Sequence, residues 1–177
     1  MKGHDDTVSG FEKLWAPWRM KYINGIDTGE SGGCVFCELP KQHDDHAACI
    51  VHRGATCFTV LNIFPYNNGH LMVVPYLHTA NLGDLPPETR LELMDTADMV
   101  VTVMKRIMRP DGFNIGMNLG RSAGAGIAGH LHLHVVPRWN GDTNFMPVIG
   151  GTKVISESLE DTQAKLAGAI RGYLAEG

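Results

Sequence analysis

The chain has 177 residues, 44% of them hydrophobic and 19% charged, a balance that folds as one ordinary globular domain and excludes a disordered chain. Its net charge of -4 excludes the basic face that nucleic-acid binding demands, so any polyanionic ligand has to be held locally. No apolar run reaches the roughly 20 residues of a membrane helix, and the opening MKGHDDTVSG lacks a secretion signal, so the expectation is a cytoplasmic protein with no membrane or nucleic-acid partner.

Residues 1–33 read as an N-terminal arm, with the apolar island FEKLWAPWRMKYI followed by the glycine-rich turn NGIDTGESGG. The stretches CIVHR, TCFTVLN and HLMVVPY then read as antiparallel strands, because the links between them are too short for helical crossovers. Leu91, Met94, Ala97, Val101, Met104 and Met108 recur at spacings of three and four, which predicts an amphipathic helix from Glu88 to Arg109. Pro86 and Pro87 open that helix, and Pro110 and Gly112 close it.

GFNIGMN alternates Phe113, Ile115 and Met117 with Asn114, Gly116 and Asn118, the pattern of a half-buried strand. A small-residue loop, LGRSAGAGIAG, leads into GHLHLHVVPRW. After Trp139 comes a loop, then a closing helix supported by Leu159, Leu166, Ile170 and Tyr173, with Ser156 or Ser158 as N-cap. The sum is an α+β domain with a mostly antiparallel sheet.

His130, His132 and His134 occupy alternate positions, so a strand puts them on one face and Leu131, Leu133 and Val135 on the other. Three readings are open for them: structural imidazoles, a shared metal, or separate tasks at one site. Ligands at i, i+2 and i+4 span roughly 13 Å of strand, which tells against one ion for all three. A neutral imidazole attacks phosphorus well, and His132 is best placed to do so. The preceding loop supplies small residues and exposed N–H groups, the makings of an anion nest.

The four cysteines, in a chain without an export signal, suggest a metal or buried thiols rather than disulfides. Cys34 and Cys37, spaced as CVFC, offer half of a tetrahedral zinc site. His43 and His46 could complete it locally, while Cys49 and Cys57 lie in apolar strand text and read as buried thiols.

GHLHLHVVPRW resembles the signature of the histidine-triad (HIT) superfamily of nucleotide hydrolases and transferases. LNIFPYNNGHLMVVPYLH looks like its nucleotide-binding strand pair, NLGRSAGAGIAG like its phosphate loop, and PRWNGDTNF like the stretch after the triad. LWAPWRMKYI and GDTNFMPVIGGTKVI look most like the branch containing bacterial diadenosine tetraphosphate phosphorylases. The resemblance implies a HIT-like fold of about five strands with one long helix packed on the sheet and a C-terminal helix. It divides the chain into the arm at 1–33, a catalytic domain with a zinc site at 34–150, and a helical extension of that domain at 151–177.

The resemblance further implies cleavage at the α-phosphate of dinucleoside polyphosphates through a covalent nucleotidyl-histidine on His132, supported by His134. It assigns Asn62 to the ribose hydroxyls, Ile63 to the base and Asn118 to the phosphates. Gly126 stands where many relatives carry Gln or Ser, so backbone N–H groups must replace a side-chain donor. A structural zinc, one per chain and without an organic cofactor, would sit on Cys34, Cys37, His78 and His130. Arg121 and Arg138 flank the site, either holding outer phosphates or serving as solvated surface charges. Trp15, Trp18 and Trp139 read as packing or interface residues, and a homodimer is expected. A zinc-stapled nucleotide-binding protein without turnover, and nucleotidyl transfer to a sugar phosphate, are the alternatives.

Overall fold

The computed structural model describes residues 33–145, 149 and 154–176; the N-terminal arm with Trp15 and Trp18 lies outside the described residues. One turn of helix, α1 (Val35–Glu38), precedes β1 (Ile50–Arg53), β2 (Cys57–Leu61) and β3 (Leu71–Pro75). There follow α2 (Pro87–Ile107), β4 (Gly112–Met117), β5 (Leu133–Arg138) and α3 (Leu159–Glu176). The five strands form one sheet in the order β1-β2-β3-β5-β4, with every neighbouring pair antiparallel.

The period of two in the strands divides the core into two layers. Cys57, Leu61, Leu71, Val73, Leu133 and Val135 face Leu93, Ala97, Val100 and Met104 of α2 and Leu166 and Ile170 of α3. Phe58, Val60, Met72 and Val74 turn the other way, onto Phe36 of α1 and Ile50. Strands β2 and β3 are therefore buried on both faces, which is why they read as continuous apolar text. Each Val, Leu, Ile, Phe or Met among them contributes about 1.5–3 kcal/mol by leaving water.

Local chemistry sets the element ends. Pro86 is the N-cap of α2 and Pro87 its first residue, while Arg109, in the left-handed region at φ 50°, ends it. The Ser158 hydroxyl accepts the Asp161 N–H at 3.0 Å and donates to its carboxylate at 2.6 Å, a reciprocal cap that starts α3. Gln163 ties α3 to the sheet by donating from Nε2 to the Ile50 carbonyl at 2.7 Å.

Four details differ from the sequence reading. Leu91 and Met94, expected on the apolar stripe of the long helix, are exposed, because α2 turns Leu93, Ala97, Val100 and Met104 to the sheet instead. Strand β5 begins at Leu133, so His130 and His132 precede it; the Leu131 N–H instead donates to the Thr79 carbonyl at 2.7 Å. Ile115 is exposed, because β4 is an edge strand and its outward half has no partner among the described residues. Cys49 is half-buried with φ 56°, while Cys57 is buried as expected. No described helix is long and apolar enough to cross a membrane.

Candidate active site and metal centre

The sheet face opposite α2 carries the histidines. Phe36 anchors α1 there: its ring meets His130 at 5.5 Å and His132 at 5.1 Å between centroids. The His132 and His134 rings stand edge-on at 4.7 Å. The three imidazoles thus share one side, and Leu131, Leu133 and Val135 fill the core on the other.

Hydrogen-bond partners fix what each ring can do. His132 Nδ1 lies 2.9 Å from the His130 carbonyl, an acceptor, so Nδ1 carries the proton and the Nε2 lone pair is left for attack. Burial pulls the His132 pKa below its ordinary value, which keeps that lone pair unprotonated at neutral pH. Asn118 follows β4 directly, and the register Met117 to Leu133 brings it across from His132.

A fourth ring, His70, was not singled out from the sequence. Its Nδ1 accepts the Tyr66 N–H at 3.0 Å, so its Nε2 is the protonated nitrogen, and that nitrogen lies 2.9 Å from His134 Nδ1. His134 must then carry its own proton on Nε2, a buried atom with no partner among the described residues and a donor suited to a phosphate oxygen. Burial, then the charge of neighbouring imidazoles, lowers His70 to about 3 and His134 to about 4. His70 gives a faint sequence signal, a histidine closing the turn in NNGH; its partner lies 64 residues away. Gly69 makes that turn at φ 73°, and a side chain there would meet the Met108 methyl at 2.9 Å.

Gly120, at φ 81°, opens the loop before the triad. A tight turn at Arg121–Ala123 uses the N–H groups of Ala123, Gly124 and Ala125. Those of Gly126, Ile127 and Ala128 take no partner among the described residues and remain available to an anion. Among the described residues no carboxylate shifts the pKa of His70, His132 or His134.

Other sequence-assigned residues are placed as follows. Asn62 is buried; its Oδ1 accepts the Phe64 N–H at 2.9 Å and its Nδ2 lies 3.4 Å from His70 Nδ1. Ile63 beside it is exposed. Arg121 is exposed in the loop, and Trp139 is half-buried. Arg138 forms a bidentate pair with Asp142, through Nε at 2.7 Å and Nη2 at 2.8 Å, and donates from Nη1 to Asn114 Oδ1. That pairing holds the Asp142 carboxyl far below the usual range.

Cys34, Cys37, His78 and His130 bring one donor atom each to within 4.8 Å of one another. Sulfur to imidazole Nδ1 distances are 3.3 Å for Cys34 to His130, 3.3 Å for Cys37 to His78 and 3.6 Å for Cys37 to His130. Tetrahedral zinc needs roughly 3.5 Å between a sulfur and a nitrogen ligand, so the donors fit the ion. His130 donates from Nε2 to the Pro75 carbonyl at 2.9 Å, leaving Nδ1 unprotonated toward the thiols, as a metal ligand requires. His43 and His46 are exposed and stand outside this cluster.

Comparison with known proteins agrees with this geometry. The HIT domain family model matches residues 45–141. The chain is 46% identical to the AP-4-A phosphorylase of Mycobacterium tuberculosis H37Rv over 162 residues, covering 88% of this chain and 83% of that protein. It is 32% identical to an uncharacterized HIT-like protein of Methanocaldococcus jannaschii over 109 residues, 62% of this chain and 81% of the other. Among solved structures, a Zn-bound histidine triad family protein from Mycobacterium smegmatis superposes with a TM-score of 0.66 at 27% identity, covering 82% of this chain and 98% of that one. Plasmodium falciparum diadenosine triphosphate hydrolase, at 16% identity and a TM-score of 0.58, covers 80% of this chain and 97% of that one and shares the fold. In sequence, fold and arrangement of histidines, the chain belongs to the HIT family.

Proposed function

We propose that the protein cleaves dinucleoside polyphosphates at the α-phosphate by way of a nucleotidyl group carried on His132, in the manner of a diadenosine tetraphosphate phosphorylase. The observation that carries this reading is the hydrogen bond from His132 Nδ1–H to the His130 carbonyl, which leaves Nε2 of a buried imidazole as an unprotonated nucleophile, with the small-residue loop leading into its segment. The 46% identity to an AP-4-A phosphorylase supports the substrate class.

In the first step the Nε2 lone pair forms a bond to the α-phosphorus, and the bond from phosphorus to the bridging oxygen breaks. For diadenosine tetraphosphate the leaving group is ATP. In the second step an oxygen of inorganic phosphate attacks the same phosphorus, the P–N bond breaks, and ADP departs with His132 restored. The N–H groups of Gly126, Ile127 and Ala128, with His134 Nε2–H and Asn118, offset the charge gathering on the non-bridging oxygens. Asn62 and Ile63 would hold the ribose and base of the transferred nucleotide.

Zinc fits Cys34, Cys37, His78 and His130 as a closed structural ion. It would fasten α1 to the segment leading into His132 and take no part in the chemistry. A homodimer is supported by the outer edge of β4, which pairs with no strand among the described residues, and by exposed Leu91 and Met94 on α2. The free state of all four cysteines supports a cytoplasmic location.

Incubation with diadenosine tetraphosphate, with and without inorganic phosphate, tests the reading. ADP and ATP formed only with phosphate is the expected result. AMP and ATP would make it a hydrolase, and binding without any product would leave a zinc-stapled nucleotide-binding protein. Transfer to a sugar phosphate would need that acceptor for release.

A further inference from the structure

Past His134 the same sheet face carries a groove that the reaction above does not use. Tyr66, Asn67, Asn114, Val136 and Arg138 line a cavity of about 240 Å³. Gly116 pairs with His134 and Asn114 with Val136, so the groove starts two residue pairs, roughly 7 Å, further along the strands. Tyr66 joins the two places: its ring stacks on His134 at 5.9 Å between centroids and is 44% exposed. Neither Asn62 nor Ile63 lines this cavity.

Its polar groups select the kind of ligand. Both oxygens of Asp142 are bonded to the Arg138 guanidinium, so the charge there is already offset and the groove is a poor seat for phosphates. Asn67 spends its two Nδ2 hydrogens on the Pro137 carbonyl at 3.0 Å and Asp142 Oδ2 at 2.7 Å, which leaves Oδ1 as an acceptor. Asn114 spends Oδ1 on Arg138 at 2.8 Å, which leaves its Nδ2 hydrogens as donors. An aromatic face, an amide donor, an amide acceptor and the apolar Val136 suit a flat heteroaromatic ring with hydrogen-bonding edges.

We infer that the groove of Tyr66, Asn67, Asn114 and Val136 is the subsite for the second nucleoside of a dinucleoside polyphosphate, with Arg138 as the strut that orients Asn114. The inference rests on the function proposed above for the identity of the substrate. Arg138 and Asp142 then act through Asn114 and Asn67 rather than on the phosphates.

Two measurements test it. In the first, wild-type protein saturated with AMP is titrated with adenosine. A second nucleoside equivalent per chain is expected, weakened about tenfold in Asn114→Leu through lost hydrogen bonds. Absence of a second equivalent overturns the inference, whether or not the protein turns over substrate. In the second, kcat/KM for diadenosine tetraphosphate is compared with the rate of exchange of labelled phosphate into ADP, which uses one nucleoside only. Asn114→Leu should lower the ratio of the two about tenfold. An unchanged ratio overturns the groove while leaving the reaction intact, whereas a wild type inactive in both assays overturns the reaction instead.

Discussion

His70 Nε2 donates to His134 Nδ1 across 2.9 Å, and this bond decides which nitrogen of His134 carries the proton. The chain of donors runs from the Tyr66 N–H through His70 to His134. His70→Phe keeps the bulk and removes the donor, so His134 is free to take the other tautomer. The expected result is a kcat lower by ~10²-fold, the scale of a misplaced proton donor, with nucleotide affinity little changed. A kcat within threefold of wild type would show that His134 needs no such orientation.

His132→Ala should lose at least ~10³-fold in rate, as removal of a covalent nucleophile does, while still binding AMP. Wild-type protein mixed rapidly with labelled diadenosine tetraphosphate and no phosphate should carry label on a histidine, and the variant should carry none. Activity within tenfold of wild type removes His132 from the role.

The buried imidazoles make stability depend on pH in a defined window. His70 and His134 have folded pKa values of about 3 and about 4 against an ordinary 6.5. The unfolded chain binds protons below pH 6.5 that the folded chain refuses. Their contribution is therefore complete above pH 6.5 and is lost as the pH falls from there toward 3. By pH 5 each ring costs ~2 kcal/mol. Urea unfolding at pH 7.5 and pH 5 reads the difference; equal midpoints would mean the rings are solvated.

Cys37→Ser should abolish zinc binding and lower Tm, because the Cys37 sulfur lies against two imidazoles of the cluster, His78 and His130. His78→Ala should release metal as well, while His43→Ala and His46→Ala should retain it in full. Zinc content by atomic absorption decides between the two ligand sets. Loss of metal on removing His43, with none on removing His78, would assign the ion to the local finger.

Gly69→Ala puts a side chain at φ 73° against the Met108 methyl, beside His70. A destabilisation of ~1–3 kcal/mol is expected from the backbone strain alone. Thermal melting reads it, and an unchanged Tm would mean that the turn relaxes freely.

Much of the fold was legible because it follows from local periodicity. The continuous apolar runs CFTVL and LMVVP and the three-four spacing from Leu91 to Met108 each specify an element without knowledge of its partners, although the helix buries Leu93, Ala97, Val100 and Met104 rather than Leu91 and Met94. The pairing of His130, His132 and His134 with Leu131, Leu133 and Val135 across one segment was legible for the same reason. The exposure of Ile115 was not, since a strand's own pattern does not say that it lies at the sheet edge.

What the sequence by itself determined, then, is the composition of the site: three histidines in alternation, a small-residue loop before them and a thiol pair upstream. Only the tertiary structure decided the protons and the partners. His70 reaches His134 from 64 residues away, and Cys34 meets His130 from 96, because β3 lies beside β5 and α1 folds over that face. Tautomers, the clustering of thiols with imidazoles and the pairing of Arg138 with Asp142 depend on distances between groups whose separation along the chain carries no information about their separation in space.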